Sequence, residues 1–448
     1  MSFPAYSEYK DSGVEWLAEV PKHWTLKRFK QIFTERGERS VDGSEELMSV
    51  SAYYGVKPRL ETLDDGDHLS RADSLEGYKI CRTNDLVMNI MLAWNRGLGF
   101  SWADGIVSPA YSVFYITDGS NPKYLDYLVR SDEMTRYYKA FSSGVIDSRL
   151  RLYPESFGRL YVAMPNLEEQ TQIASFLDHE TGRIDALIEE QQRLIELLTE
   201  KRQAVISHAV TKGLDPNVPM KDSGVEWLGQ VPAHWEVKKL GYIGQARNGL
   251  TYSPDNIVED SDSGTLVLRS SNIQSAKISL LDNVYVNSRI PDNLRVRESD
   301  ILICSRNGSR ALIGKNALIP KELDGQSFGA FMMIFRSKIN NFIYWILNSP
   351  IFNYQSSSFL TATINQLTND NLTGMLIPLP PLTEQEEIVQ YLNKKTSEID
   401  FLIDEVKSGI DFLKERRSAL ISAAVTGKID VRGWQPQAST AVPSLERE

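Results

Sequence analysis

The sequence predicts an α+β protein: two pseudo-symmetric mixed α/β lobes separated by two long helices that pair as an antiparallel coiled coil. Three observations lead there. A fifteen-residue box occurs twice, KDSGVEWLAEVPKHW at Lys10–Trp24 and KDSGVEWLGQVPAHW at Lys221–Trp235, with twelve positions identical at an offset of 211. A second stretch, at 170–215 and 385–430, aligns with itself without a gap at an offset of 215. The segments between are nearly equal in length and share little visible sequence. A kept frame around a changed interior suits a scaffold holding two different readers.

Each box opens a lobe and carries paired tryptophans, Trp16/Trp24 and Trp227/Trp235. Asp11/Asp222 and Glu15/Glu226 recur beside Gly and Trp, where a capping or surface role is expected. His23 and His234 recur in an HW pair. No carboxylate, serine or cysteine is seen to recur with them. A packing or capping histidine beside a buried Trp is therefore expected, rather than a base present in duplicate.

The lobes, residues 25–165 and 236–380, read as mixed α/β. Candidate strands are Leu86–Leu92, Tyr111–Ile116, Leu266–Arg269, Asp300–Cys304 and Phe331–Phe335. Turn signals at Asp65–Gly66, Asp104–Gly105, Asn307–Gly308 and Asp324–Gly325 punctuate them. Short helices are expected at 122–142 and 340–353.

Residues 170–212 read as one long helix. Leu177, Ile184, Gln191, Leu198 and Val205 form a seven-spaced series, with Leu187 and Leu194 as a second. The later copy holds Leu392, Ile399, Val406, Leu413 and Leu420 on one seam, with Leu402 and Gly409 on the other. Prolines mark the starts (Pro165; Pro378, Pro380, Pro381), and Thr211–Lys212–Gly213 and Thr426–Gly427 the stops. Acidic residues gather in the first turns and basic ones near the ends, complementing the helix dipole. An apolar stripe about 60 Å long at 1.5 Å per residue has to be buried. The other copy is the expected partner, about a pseudo-two-fold axis. The alternative is two amphipathic helices, each packed on its own lobe.

The chain has 448 residues, room for two or three domains. The expected boundaries are 1–165 (first lobe), 166–215 (first spacer helix), 216–380 (second lobe), 381–430 (second spacer helix) and 431–448 (disordered tail). No apolar run is long enough to span a membrane. Cys81 and Cys304 stand alone, which excludes a disulfide framework and a Cys-rich zinc site and fits a reducing cytoplasm. Net charge is −10, yet residues 166–215 and 383–430 account for −8 of it. The lobes are thus left free to carry basic faces.

No phosphate loop, GxGxxG, GxSxG or HExxH motif occurs, so neither a catalytic site nor a metal site is expected. Binding chemistry is easier to find. In the first lobe MNIMLAWNRGLGF sets Asn89, Trp94, Asn95 and Arg96 around a glycine-bounded loop, with Tyr111 following. Arg149 and Arg151, two residues apart, would face one way if extended. In the second lobe Arg247, Arg269, Asn272, Arg306, Asn307, Ser309, Arg310 and Lys315 concentrate beside glycines. Asn365 and Gln366 stand where the first lobe has its Arg pair. Arg reads guanine, Asn or Gln reads adenine, and Ser, Lys and tight-loop N–H groups hold phosphates. These residues are the candidate DNA contacts.

With those residues in view, the chain resembles the specificity subunit of type I DNA restriction–modification enzymes. The resemblance rests on SGVEWLGQVPAHW, on PLPPLTEQEEIVQYLNKKTSEID with ERRSALISAAVTGKID, and on their first-half counterparts. It covers nearly the whole chain; PNLEEQ at 165–170 departs from PPLTEQ in the second copy. It implies two target-recognition domains on an antiparallel coiled coil, each reading one half of a bipartite asymmetric site in double-stranded DNA. It also implies a subunit without catalysis of its own. Two methylation subunits would carry S-adenosylmethionine, and motor–nuclease subunits would use ATP and magnesium. Two other readings stay open: the recognition subunit of a composite enzyme cutting near its site, and a protein-only coiled-coil adaptor.

Overall fold

The computed structural model describes residues 3–14, 16–62, 74–357 and 366–436. The expectations at Glu15, Asp65–Gly66 and Asn365, and for the tail past residue 436, lie outside the described residues. The chain divides into two compact units, Met1–Gln191 with Ser408–Glu448, and Gln192–Lys407. The first long helix is Leu167–Lys212 and the second Leu382–Val425. Each contributes one end to each unit.

In the first unit the box folds as a hairpin, Tyr9–Asp11 against Glu19–Pro21. Asp11 caps its turn by accepting from the Gly13 N–H at 2.9 Å. A four-stranded antiparallel sheet follows, in the order Phe33–Glu35, Tyr111–Ile116, Leu86–Asn89, Leu98–Phe100. Ser131 breaks the expected 122–142 helix into Pro122–Val129 and Asp132–Phe141, capping the second by accepting from Met134 N. Phe29, Phe33, Phe114 and Phe157 cluster in the core beneath, joined by Ile173, Phe176 and Leu177 of the first long helix and Ala424 and Val425 of the second.

The second unit repeats this plan. Its box hairpin is Met220–Asp222 against Gln230–Pro232, with Asp222 capping Gly224 at 2.9 Å. Its central sheet runs Gln245–Asn248, Met332–Arg336, Ile301–Cys304, Asn316–Leu318, all antiparallel. The two lobes that look unrelated in sequence therefore share their central sheet. Even the turn into the middle strand is common. Asp85 accepts from Arg82 N and Asp300 from Arg297 N, each at 2.8 Å, with Asn84 and Ser299 at positive φ between them. The periphery differs. The second lobe adds a sheet of short strands that includes the parallel pair Thr265–Leu268 and Ser327–Phe328.

Each box is pinned to the start of a long helix by one carboxylate. Trp24 Nε1 donates to Glu169 at 3.0 Å and His23 Nε2 lies 2.7 Å from the same group. Trp235 and His234 meet Glu384 at the same two distances. A carboxylate does recur with the HW pair, correcting the sequence expectation. It was hidden because its offset is 215 while that of the boxes is 211. Both tryptophans are buried, so the carboxylate satisfies an indole N–H that burial would otherwise orphan. Both histidines are exposed and pair with these carboxylates rather than packing in the core.

Within each unit the long helices run antiparallel. The start of the first meets the end of the second in the first core, and Ile206 and Val210 meet Ile388 and Leu392 in the second. The seam through Leu177 and Ile184, and through Leu392 and Ile399, is buried, and Leu198 and Leu413 are half-buried. The expected second series is wrong by one residue. Leu187, Leu194 and Leu402 are 43%, 40% and 48% exposed. The inward track is instead Thr181, Ile188, Ile195 and Arg202, matched by Thr396, Ile403, Ile410 and Arg417. It alternates with the first series at four-and-three spacing, as a heptad requires. Thr181 and Thr396 fit in it because each hydroxyl donates to a carbonyl one turn back, Leu177 O and Leu392 O.

The expected tail also starts too early. Val431 is buried, and the Trp434 ring lies 5.3 Å from Phe176. Asp430 N donates to Pro4 O at 2.7 Å. The residues just past the second long helix are thus part of the first unit.

Candidate nucleic-acid interface

Three segments of the second lobe converge at one end of its central sheet. Strand Ile301–Cys304 runs out into Ser305–Asn307, Phe331 precedes strand Met332–Arg336, and Gln366 bridges to Arg306. Ser305 N and Arg306 N both donate to Phe331 O, at 3.0 and 3.1 Å, and Leu367 N donates to Ser305 O at 2.7 Å. They border a cleft of about 1280 Å³, lined by Tyr252, Arg269, Arg306, Asn307, Phe331 and Gln366 among others.

The Arg306 guanidinium sits 5.6 Å from the centroid of the Phe331 ring, and Phe331 is 62% exposed. A guanidinium held near an aromatic ring by cation–π attraction can still donate from its edge N–H groups. That geometry suits a bidentate acceptor such as a guanine edge or a phosphate. Asn307 Nδ2 and Lys315 Nζ hold the neighbouring loop through Ser270, each at 3.4 Å. Arg269 pairs with Asp282 at 2.8 Å, which offsets its charge. Ser309 and Arg310 are exposed beyond Asn307. Arg247 bonds Gln245 Oε1 at 3.0 Å on the sheet edge. Asn272 is a correction: it is fully buried. Its Oδ1 accepts from Arg269 N, and its amide donates to Ser279 O and Asp282 O. It shapes the loop from inside and cannot reach a ligand.

The first lobe gathers its candidates at the equivalent end. Leu152 N donates to Ile90 O at 2.9 Å, the counterpart of the Leu367–Ser305 bond. Trp94 donates from Nε1 to Met91 O, with Lys139 Nζ 5.4 Å from the centroid of its ring. Arg96 has a left-handed backbone, φ 60°, and pairs with Asp132. Asn95 is exposed and Tyr111 half-buried. Asn89 is 4% exposed and closes a turn by accepting from Met91 N at 3.0 Å, so it too is a support rather than a contact. Arg149 and Arg151 do not share a face as an extended pair would. Arg149 ends a 3₁₀ turn, Asp147–Arg149, while Arg151 pairs its backbone with Ser143 and spends a guanidinium N–H on Leu150 O.

Phe331 was missed because FMMIF reads as a core run; nothing in the sequence marks its first residue as the one left outside the strand. Among the described residues no group of three or more His, Cys, Asp or Glu side chains is placed to hold a metal ion. Burial pushes the Cys81 thiol up to about 11, so it is a core residue and a poor nucleophile at neutral pH.

A family model described as the type I restriction modification DNA specificity domain matches residues 232–405. The EcoKI specificity subunit of Escherichia coli K12 is 28% identical over 47% of this chain and 47% of its own length. The MjaVIII specificity subunit of Methanocaldococcus jannaschii is 27% identical over 95% of this chain and 97% of its own. Among solved structures, a chain from work on complex assembly and conformational transition of the type I R-M system superposes with a TM-score of 0.70 at 16% identity. It covers 91% of this chain and 98% of that one. The HsdS subunit from Thermoanaerobacter tengcongensis gives 0.51, also at 16% identity, over 92% and 98%. At such identities these two establish the fold.

Proposed function

Because the chain belongs to the family of type I restriction–modification specificity subunits, we propose that it is the DNA-recognition subunit of such a complex, without catalysis of its own. Each lobe reads one half of a two-part asymmetric site, through the end of its central sheet. The methylation and motor–nuclease subunits of the complex supply S-adenosylmethionine, ATP and magnesium chemistry.

The observation that carries the reading is the Arg306–Phe331 cation–π pair with Gln366 bridged beside it at the cleft, on a frame that the other lobe repeats with different residues at its tip. Arg151 occupies the position that Gln366 holds, offset by 215. Same frame and different tips are what two half-sites of different sequence require.

The long helices support a docking role for the methylation subunits. Leu187 and Phe412 are exposed in the first unit, and their repeat counterparts Leu402 and Leu197 in the second. An apolar pair left outside twice, at matching positions, suits one partner type bound twice.

The test uses the chain purified with its methylation subunits and a panel of duplexes substituted one base pair at a time. Arg306→Ala is expected to relax discrimination at one position of one half-site, by about 1–3 kcal/mol. An unaltered preference at every position would remove Arg306 from the reading set, and binding insensitive to salt would remove DNA phosphates as the source of affinity.

A further inference from the structure

The second unit holds a cleft of about 980 Å³ where the first unit is filled by its own chain. It lies beside the start of the second long helix, lined by Tyr242, Arg297, Lys338, Pro380, Leu382 and Gln385 among others. In both units a glutamine sits here, Gln170 and Gln385, 4% and 5% exposed. Each is oriented by donating from Nε2 to a carbonyl, Pro165 O at 2.9 Å and Pro380 O at 2.7 Å. In the first unit Gln170 Oε1 accepts from Asn121 N at 2.8 Å. In the second, Gln385 Oε1 is buried with no hydrogen-bond partner. A buried carbonyl oxygen left so costs free energy that a donor would recover.

The cause is loop length. In the first unit Thr117–Asn121 joins the sheet to helix Pro122–Val129 and passes over the glutamine. In the second unit the same connection is only Ser337–Ile339, and Ile339 N turns to Ser337 Oγ at 3.4 Å instead. The longer loop makes a second contact. Asp118 pairs with Lys27 at 2.8 Å and turns the chain by accepting from Ser120 N. Lys238, the counterpart of Lys27, has no such aspartate and pairs with Glu236 at 2.5 Å. Arg297, Glu298 and Lys338 are exposed at the cleft, and Tyr242 and Leu382 beside them are 81% and 64% exposed.

We propose that this cleft is a docking site for a turn of a partner protein that carries an Asp or Glu and donates a backbone N–H to Gln385 Oε1. The loop Asp118–Asn121 is the internal template for that occupant: an acidic residue, then small turn residues, then an N–H aimed at the glutamine. Arg297 and Lys338 outnumber Glu298 on the rim and supply the charge complement, and Tyr242 and Leu382 supply apolar contact. Because the first unit's own loop fills the equivalent place over Gln170, the site breaks the pseudo-symmetry of the chain, and one such turn binds per chain. The inference does not rest on the DNA-recognition reading.

The test uses the full chain and a blocked synthetic peptide copying Ile116–Pro122. Saturable binding is expected, with hydrogen-exchange protection at Leu379–Gln385 and none at Met164–Gln170. The surface double variant Arg297→Glu/Lys338→Glu should bind about tenfold more weakly, as should a peptide whose Asp is replaced by Asn. Replacing Ser337–Ile339 with the sequence Thr-Asp-Gly-Ser-Asn should fill the cleft and abolish peptide binding. No saturable binding, or binding indifferent to the charge reversal, would overturn the proposal. So would displacement of the peptide by inorganic phosphate or duplex DNA, which would make the cleft a phosphate site. Sequence-specific DNA binding measured in parallel on the unaltered chain reports on the functional reading separately.

Discussion

Arg417 of the second long helix donates to Asp185 of the first at 2.8 Å, and the repeat carries the same ion pair into the other unit as Arg202 with Asp400 at 2.7 Å. Each aspartate and each arginine is the counterpart of the other at the offset of 215. This is the pairing rule of an isologous dimer, in which position i of one copy meets j of the other and j meets i. Here both copies belong to one chain, so a substitution at either site acts in one unit only.

Asp185→Arg should therefore destabilise the first unit by about 0.5–1 kcal/mol, since the pair is partly exposed and its attraction is screened. Arg417→Asp alone should do the same, and the two together should recover most of the loss. Urea unfolding of the four proteins as a double-mutant cycle measures the coupling. A coupling of zero would show that the pair contributes nothing to helix pairing.

Glu169 and Glu384 do the same work in different surroundings. Glu169 is 3% exposed and accepts from Trp24, from Tyr6 Oη at 2.6 Å and from His23. Glu384 is half-buried and accepts from Trp235 and His234. Removing Glu169 orphans a buried indole N–H and a buried phenol together. Glu169→Ala is expected to cost about 3 kcal/mol or more, and Glu384→Ala about 1–2. Thermal unfolding of each variant gives the comparison, and equal losses would refute the burial argument.

The two boxes differ at a position of backbone consequence. Ala18 sits at φ 50° where the second copy has Gly229 at φ 62°. A left-handed alanine is strained by its Cβ, and Ala18 is exposed, so its methyl has little packing to lose. Ala18→Gly should stabilise the first unit by about 0.5–1 kcal/mol, and Gly229→Ala should destabilise the second by a similar amount. Midpoints of chemical denaturation check both, and a loss from Ala18→Gly would contradict the strain.

Much of this was legible in the sequence, and the failures have physical reasons. Tyr111–Ile116 was read to the residue because alternation and bounding turns agree there. The common central sheet was not seen. A buried strand asks only for apolar bulk, so Leu86–Asn89 and Ile301–Cys304 keep their place while sharing almost no residues. The second heptad track slipped by one residue because Leu187 and Ile188 are adjacent and either completes a four-and-three pattern. Burial of Thr181 decides it, and threonine is a weak seam signal. At the interface, Arg306 and Gln366 stood out as polar residues beside turns. So did Asn89 and Asn272, which support loops from within; composition does not distinguish an amide facing solvent from one holding a turn together.

In the proposed function, one repeated frame holds two different readers. Mapping methylated adenines in DNA from cells that express this chain with its methylation subunits tests that most directly. A motif of two short defined parts separated by a fixed stretch of unspecified bases is expected. Exchanging residues 236–380 for those of a relative should rewrite one part and leave the other. A single unbroken motif, or a change in both parts from that one exchange, would contradict it.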